Sequence, residues 1–175
     1  MPDVGHVAPA GSTECFAGTP AGMAAGQPGN DMTDSKRFAP DGRPVTEVAV
    51  GVMVRPDGAV LLGQRPAGKP YAGYWEFPGG KLEAGESVAA ALARELHEEL
   101  GVTVERCAPW RVLEHDYPHA YVRLHFCKVT AWQGEPHGKE GQTLAWEHPP
   151  VKVEPLLPAA LPPLNWLAEE LAARG

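Results

Sequence analysis

The sequence has few of the features expected of proteins that bind nucleic acid, cross membranes or fold in oxidising compartments. Its 175 residues include only three cysteines and no CxxC pair, which argues against a structural zinc site and favours a reducing cytoplasm. No apolar run approaches the ~20 residues of a membrane helix, and we predict no signal peptide. The net charge of −7 gives nucleic-acid backbone no electrostatic attraction. We therefore expect a cytoplasmic protein without membrane or nucleic-acid partners.

The first 44 residues contain few large aliphatic side chains. They are rich in Gly, Pro, Ala, Ser and Thr, a composition that buries too little apolar surface to offset the entropy lost on ordering. We predict a disordered tail over residues 1–44 and one folded domain over residues 45–175. The overall composition of 43% hydrophobic and 21% charged residues is typical of a globular protein.

The rest of the chain shows strand and helix patterns in mixed order. Apolar residues on both faces of residues 47–55 predict a central strand, and a Pro-Asp-Gly turn leads into a returning strand over residues 59–64. Leucines at every fourth position predict a helix over residues 87–100 that ends at Gly101. Further strands are predicted at residues 102–106, 111–115, 121–131 and 143–147, and a last helix from Pro162 onward with Leu171 on its apolar face. This order predicts an α/β domain.

Three glutamates crowd the C-terminal end of the first predicted helix. Glu95, Glu98 and Glu99 lie within about one and a half turns, where the helix dipole disfavours anions by ~0.3–1 kcal/mol each. Arg94 precedes Glu98 by four residues, which is the less favourable order for an ion pair. A hard divalent cation such as Mg²⁺ would relieve this repulsion and could share phosphate oxygens. A solvated acidic helix end is the alternative interpretation.

Together with the upstream loop, this segment resembles the Nudix box. The family pattern is Gly, five residues, Glu, seven residues, then Arg-Glu-aliphatic-x-Glu-Glu-x-Gly-aliphatic. Residues 47–171 resemble the bacterial mutator-type (MutT) enzymes, which cleave 8-oxo-dGTP to the monophosphate. The resemblance implies a Nudix α/β/α sandwich with a mixed sheet and a central loop-helix-loop motif, and a metal-dependent hydrolase. Every fixed position of the box is matched, by Gly80, Glu86, Arg94, Glu95, Leu96, Glu98, Glu99, Gly101 and Val102.

The resemblance also implies roles for individual residues. Glu95, Glu98, Glu99 and Glu140 match metal-binding glutamates, and the carbonyl of Gly79 matches a further ligand of Mg²⁺ or Mn²⁺. Glu95 or Glu140 would be the general base. Arg94 matches the arginine that orients the glutamates, and Gly80, Glu86 and Gly101 match positions that maintain the motif. The resemblance implies substrate contacts for Arg65, Glu76, Phe77, Pro78 and Gly79. Two further substrate contacts are predicted from the residues themselves: Tyr117, whose ring could stack on a base or pack in the core, and His119, which could substitute for the arginine missing at Ala120.

Two positions depart from the mutator-type pattern. Ala160 stands where the base-recognising asparagine is expected, and Ala120 stands where a second substrate arginine is expected. An alanine side chain cannot hydrogen-bond a purine edge, and losing such a bond weakens discrimination between bases.

Three functional hypotheses follow from these residues. The first is hydrolysis of a nucleoside triphosphate, with 8-oxo-dGTP as the first candidate, to the monophosphate and pyrophosphate in nucleotide-pool sanitation. The second is a Nudix pyrophosphohydrolase for another X-diphosphate, such as a sugar nucleotide, a dinucleotide or a thiamine-type pyrophosphate. The third, a non-catalytic nucleotide-binding module, is opposed by the four retained glutamates.

Overall fold

The computed structural model describes residues 37–174, so residues 1–36 of the predicted tail, including Cys15, lie outside the described residues. No helix in this described range is long and apolar enough to span a membrane. A 3-10 turn at Pro158–Ala160 leads into the second helix. In chain order the elements are β1 (Val45–Met53), β2 (Val60–Gln64), β3 (Trp75–Glu76), β4 (Gly79–Lys81), α1 (Val88–Leu100), β5 (Thr103–Tyr117), β6 (Ala120–Gln133), β7 (Leu144–Glu147) and α2 (Leu161–Arg174).

The strands form two sheets. The larger sheet has the order β4-β1-β6-β5, in which β1 runs parallel to β6 and the other neighbours are antiparallel. The smaller sheet has the order β3-β2-β7 and is antiparallel throughout. The four-stranded sheet is therefore mixed, as predicted, and β1 is an internal strand that lies between β4 and β6.

The two helices cover opposite faces of the core. Leu92, Leu96 and Leu100 of α1 are fully buried against the face of β1 that carries Ala49 and Met53. Leu164 and Leu167 of α2 pack with the opposite apolar cluster. Because successive strand residues point to opposite faces, the continuous apolar run of β1 supplies both clusters. This arrangement is the predicted α/β/α sandwich, and it places the C-terminal end of α1 beside β4.

The structure corrects the prediction of two strands at residues 102–106 and 111–115. These residues belong to one strand, β5, which pairs with β6 along its whole length. Shifts in register at Val104 to Cys107 and at Pro109 to Arg111 allow the pairing to continue past the proline. Because β5 is an edge strand, bulges and a proline that cannot donate a hydrogen bond are tolerated there.

The prediction that Leu171 lies on a buried face of α2 is also wrong. Its side chain is 46% exposed, since the buried residues of α2 all belong to the first half of the helix. The folded part of the chain also starts before residue 45. Residues 37–44 form a turn in which Ala39 is buried, and Arg43 donates a 2.7 Å hydrogen bond to Asp116 at the β5–β6 connection.

Candidate active site

The Gly79-Gly80 pair brings strand β4 close both to β1 and to helix α1. A Cβ atom on Gly79, which has a φ of 155°, would lie 2.1 Å from the carbonyl oxygen of Ala49. A Cβ atom on Gly80 would lie 2.1 Å from the carboxyl carbon of Glu95. Only glycine permits these approaches, so this pair allows a helix carboxylate to lie directly against the backbone of β4.

An arginine at the centre of the motif joins the loop to the helix. Arg94 donates hydrogen bonds of 2.8 Å to Glu86 and to Glu95, and a further one to the carbonyl oxygen of Lys81. Glu86 also accepts a hydrogen bond from the backbone N–H of Glu83. The bonds from Arg94 and Glu83 lower the pKa of Glu86 to about 2. These contacts support the structural role implied for Glu86, and they hold the Glu95 carboxylate in one orientation.

A loop packed on the C-terminal end of α1 positions Glu140. The last carbonyl groups of a helix have no partner within it. Here the carbonyl oxygen of Glu99 accepts hydrogen bonds from the N–H of Lys139 and the side-chain amide of Gln142, each of 3.0 Å, and that of Leu100 accepts one from the N–H of His137. Capping the helix in this way brings Glu140 to the glutamates of α1.

Burial and crowding perturb the carboxyl group of Glu99. Burial is the largest cause of a rise in its pKa to about 7, and the negative charges of Glu140, Glu95 and Glu76 add to it, while Lys69 opposes it. Burial likewise raises the pKa of Glu76, against the opposing charge of Arg65. Four carboxylates thus share one electrostatic environment at the end of α1, which is the condition that a bound cation would relieve.

A cavity of about 420 Å³ opens beside Glu99. A smaller recess adjoins it, and the two share Arg65, Lys69, Glu76, Gly79 and Glu99 among their lining residues. Much of the lining of the large cavity is apolar, because β1, β6 and the turn before α2 contribute hydrocarbon side chains to it. These residues are Val48, Val50, Val122, Leu124, Phe126, Leu157, Ala159 and Ala160.

The structure brings most of the sequence-predicted site residues to these two cavities, but not all of them. Glu95 and Glu98 line neither, since Glu95 lies against Gly80 and the Glu98 side chain is 61% exposed. The large cavity is lined by Arg65, Glu76, Phe77, Gly79, Gly80, Glu99, Tyr117 and His119, and the recess is lined by Pro78 and Glu140 in addition to shared residues.

Several lining residues were not identified from the sequence, among them Lys69, Tyr71 and Thr46. Lys69 forms an ion pair with Glu140, with Nζ 3.3 Å from Oε2. Tyr71 packs edge-on against Tyr117, with ring centroids 5.5 Å apart. Thr46 lines the same cavity from β1. Lys69 and Tyr71 lie in a Gly- and Pro-rich loop without periodicity, so only the fold shows where their side chains point.

Comparison with known proteins gives the class of this molecule. The sequence model of the NUDIX domain matches residues 45–169, and the chain belongs to the Nudix hydrolase family, whose members are enzymes that act on phosphoric anhydrides.

Individual relatives agree with this assignment. The chain is 39% identical over 100 residues to the 8-oxo-dGTP diphosphatase of Escherichia coli (strain K12), covering 57% of this chain and 78% of that protein. It is also 39% identical to the CTP pyrophosphohydrolase of the same organism over 128 residues, 71% of this chain and 93% of that protein. The crystal structure of a MutT NUDIX hydrolase from Burkholderia pseudomallei aligns with a TM-score of 0.65 and 30% identity, over 70% and 98% of the two chains.

Nudix hydrolases generally need divalent metal ions, and the donor groups of this site suit one. The groups around Glu99 are carboxylates, whose oxygens are the ligands that hard cations prefer. Burial, with the neighbouring negative charges adding to it, raises the pKa of Glu99, and a bound cation would offset both effects. Within residues 37–174, no three side chains of His, Cys, Asp or Glu converge into a complete cage. An ion bound here would therefore take further oxygens from backbone, substrate phosphates and water.

Proposed function

We propose that this enzyme hydrolyses nucleoside triphosphates to the monophosphate and pyrophosphate in the cytoplasm, with 8-oxo-dGTP as the first substrate to test and Mg²⁺, or alternatively Mn²⁺, as the ion. One observation carries the proposal. Glu99, whose pKa is raised to about 7, lines a cavity that also has an extended apolar lining. A nucleotide has the matching division between a polyphosphate, which binds through a cation, and a base, which binds in an apolar pocket.

The polyphosphate end is assigned to the glutamates and to Gly79. Glu99 and Glu140, with Glu95, Glu98 and the carbonyl of Gly79, are the groups that would hold the ion. When bound, the ion neutralises phosphate charge and lowers the pKa of the attacking water.

The proton of the attacking water goes to Glu95 or Glu140. The two differ in mobility, since Glu95 is 17% exposed and held by Arg94, whereas Glu140 is 46% exposed. A positioned base of this kind contributes about 10²–10⁴ in rate. Arg94 acts through Glu95 as a positioning residue, because its hydrogen bonds to Glu86 and Glu95 fix the carboxylate.

The base end is assigned to an aromatic cluster and an apolar floor. The rings of Tyr117 and His119 are stacked with centroids 5.5 Å apart. The hydroxyl of Tyr117 accepts a hydrogen bond from the backbone N–H of Ala159, which ties the β5–β6 connection to the turn before α2. Ala120 and Ala160 both line the cavity, so neither position supplies a side-chain hydrogen bond to a base.

This apolar base end favours a second candidate function, a nucleoside triphosphate pyrophosphohydrolase with broad base tolerance. An apolar pocket discriminates weakly between bases, because it leaves no buried polar group unpaired when the wrong base binds. The similarity to a CTP pyrophosphohydrolase supports including pyrimidine nucleotides among the substrates to be tested. Both candidates use the same hydrolytic end of the cavity.

The test is pyrophosphate release with Mg²⁺ from 8-oxo-dGTP, dGTP, CTP and dCTP, with product analysis for ADP-ribose and thiamine pyrophosphate. Glu99→Gln is the inactive variant, and Glu169→Gln, an exposed glutamate of α2 outside both cavities, is the matched control. We expect triphosphate turnover in the wild type and control and its loss in Glu99→Gln. Similar rates for all bases would select the broad candidate, and turnover confined to ADP-ribose or thiamine pyrophosphate would refute both.

A further inference from the structure

Lys69 is a cation that lies at the carboxylate end of both cavities. Its Nζ is 3.3 Å from Oε2 of Glu140, and the two side chains are 48% and 46% exposed. Its charge also acts on Glu76 and Glu99, where it lowers the pKa against the effect of burial. The ammonium group therefore occupies the region of negative charge in which a divalent cation would bind.

The other cationic residues that line the cavities either make structural contacts or lie outside the recess that contains Glu140. Arg65 donates hydrogen bonds of 2.6 Å to Glu76 and 2.7 Å to the carbonyl oxygen of Pro70, and its side chain is 19% exposed. Lys81 lines the large cavity but not the recess that contains Glu140. Among the lining residues, Lys69 is thus the lysine shared by both cavities, and within residues 37–174 its side chain forms a solvent-exposed ion pair with Glu140.

We propose that Lys69 binds the polyphosphate of the substrate and exchanges partners when the site is loaded; this inference rests on the proposed function. In the free enzyme Lys69 pairs with Glu140. A divalent cation competes with the ammonium group for the oxygens of Glu140, and an exposed ion pair is weak enough to be exchanged readily. The three donors of the released ammonium group then face phosphate oxygens, for which lysine is a common ligand.

This exchange has a signature that a purely structural role would not produce. Removing the charge of Lys69 takes away a competitor of the divalent cation, so the free enzyme binds the cation more tightly. The same change removes a ligand of the polyphosphate, so the substrate binds more weakly. A lysine that merely stabilises its loop would weaken both kinds of binding together when it is replaced.

The experiment compares wild type, Lys69→Gln, Lys69→Arg and the control Lys152→Gln, an exposed lysine that lines neither cavity. Mn²⁺ binding to the free protein is followed by electron paramagnetic resonance, and binding of inorganic pyrophosphate to the Mn²⁺-saturated protein by calorimetry. For Lys69→Gln we expect the Kd of Mn²⁺ to fall by about two- to five-fold and the Kd of pyrophosphate to rise by about five-fold or more. We expect Lys69→Arg to restore pyrophosphate binding and Lys152→Gln to resemble the wild type.

Steady-state kinetics separate this inference from the proposed function. With the best nucleoside triphosphate, Lys69→Gln should raise KM by about the factor seen for pyrophosphate and leave kcat within about three-fold, because the contact is made in ground and transition states alike. Weaker binding of both probes, or no change in either, would overturn the role of Lys69 while wild-type turnover upheld the proposed function. A wild type that hydrolyses no triphosphate would refute the proposed function itself, whatever the binding data.

Discussion

Replacing Glu99 by glutamine should stabilise the metal-free protein at neutral and alkaline pH while destroying activity. The unfolded carboxyl ionises near pH 4.5, whereas burial and the neighbouring carboxylates raise the folded pKa to about 7. Below pH 4.5 the group is protonated in both states and has no effect. As the pH rises from 4.5 to about 7 the unfolded state loses its proton first, so the wild type loses stability, and above about pH 7 the loss is constant.

The size of the effect follows from the difference between the two pKa values. A rise from 4.5 to about 7 corresponds to about 3 kcal/mol at ~1.4 kcal/mol per unit, and water in the partly open cavity reduces this to about 2–3 kcal/mol. The glutamine variant carries no charge at this position. Its free energy of unfolding should therefore exceed that of the wild type by this amount above pH 7 and match it below pH 4.5.

The assay is urea unfolding in EDTA at several pH values between 4 and 8.5, with Glu169→Gln as the control for loss of a surface carboxylate. Adding Mg²⁺ should reverse the order, because the ion stabilises the wild type and binds the variant poorly. Two results would contradict a raised pKa at Glu99. One is a difference in the free energy of unfolding between Glu99→Gln and wild type that does not change with pH. The other is an equally large pH-dependent difference for Glu169→Gln.

Three further changes test the packing of the site. Gly80→Ala places a methyl group on the Glu95 carboxylate and forces this carboxylate to move. We expect kcat to fall by about 10²-fold or more, whereas the free energy of unfolding in urea should fall by at most about 1 kcal/mol. An unchanged kcat would contradict the close approach of Glu95 to Gly80. Leu96→Ala removes a fully buried side chain of α1 and should cost about 2–5 kcal/mol in urea unfolding. Tyr117→Phe deprives the N–H of Ala159 of its acceptor and should cost about 1 kcal/mol, with the ring still present to stack on a base.

The helix of the catalytic motif was predictable because local physics specifies it. Ser87 caps the helix by accepting a hydrogen bond from Ala90, leucines repeat at the helical period, and Gly101 ends it in a left-handed conformation with a φ of 71°. The crowding of Glu95, Glu98 and Glu99 follows directly from 3.6 residues per turn. None of these features depends on a distant part of the chain.

The different environments of the three helix glutamates were not predictable from that spacing. Glu95 is enclosed by Gly80 and Arg94, Glu98 is 61% exposed, and only Glu99 lines the cavity. Whether a carboxylate on a helix is enclosed or solvated depends on which strand or loop lies beside it. The raised pKa of Glu99 could not be inferred from sequence for the same reason.

The local sequence pattern also gave wrong expectations for strand β5 of the β5–β6 hairpin and for the residue at which the folded domain starts. Strand β5 contains a proline and bulges that interrupt the alternating pattern, yet pairing with β6 carries it through residues 103–117. Residues 37–44 have a composition typical of a tail, yet Arg43 reaches the carbonyl oxygen of Tyr117 and the carboxylate of Asp116. In both cases a partner far away in the chain decides the conformation.

The family pattern, the helix with its glutamates, the central strand and the α/β class could all be read from residue spacing along the chain, because each depends on local pattern. Three features depend instead on how the whole chain packs: which glutamate is buried, the contact of Lys69 with Glu140, and the position of Ala120 and Ala160 in the lining of one cavity. Lys69 and Glu140, for example, are 71 positions apart in the chain. Their distances depend on how sheets, helices and loops pack, and that packing is a property of the whole chain rather than of any segment.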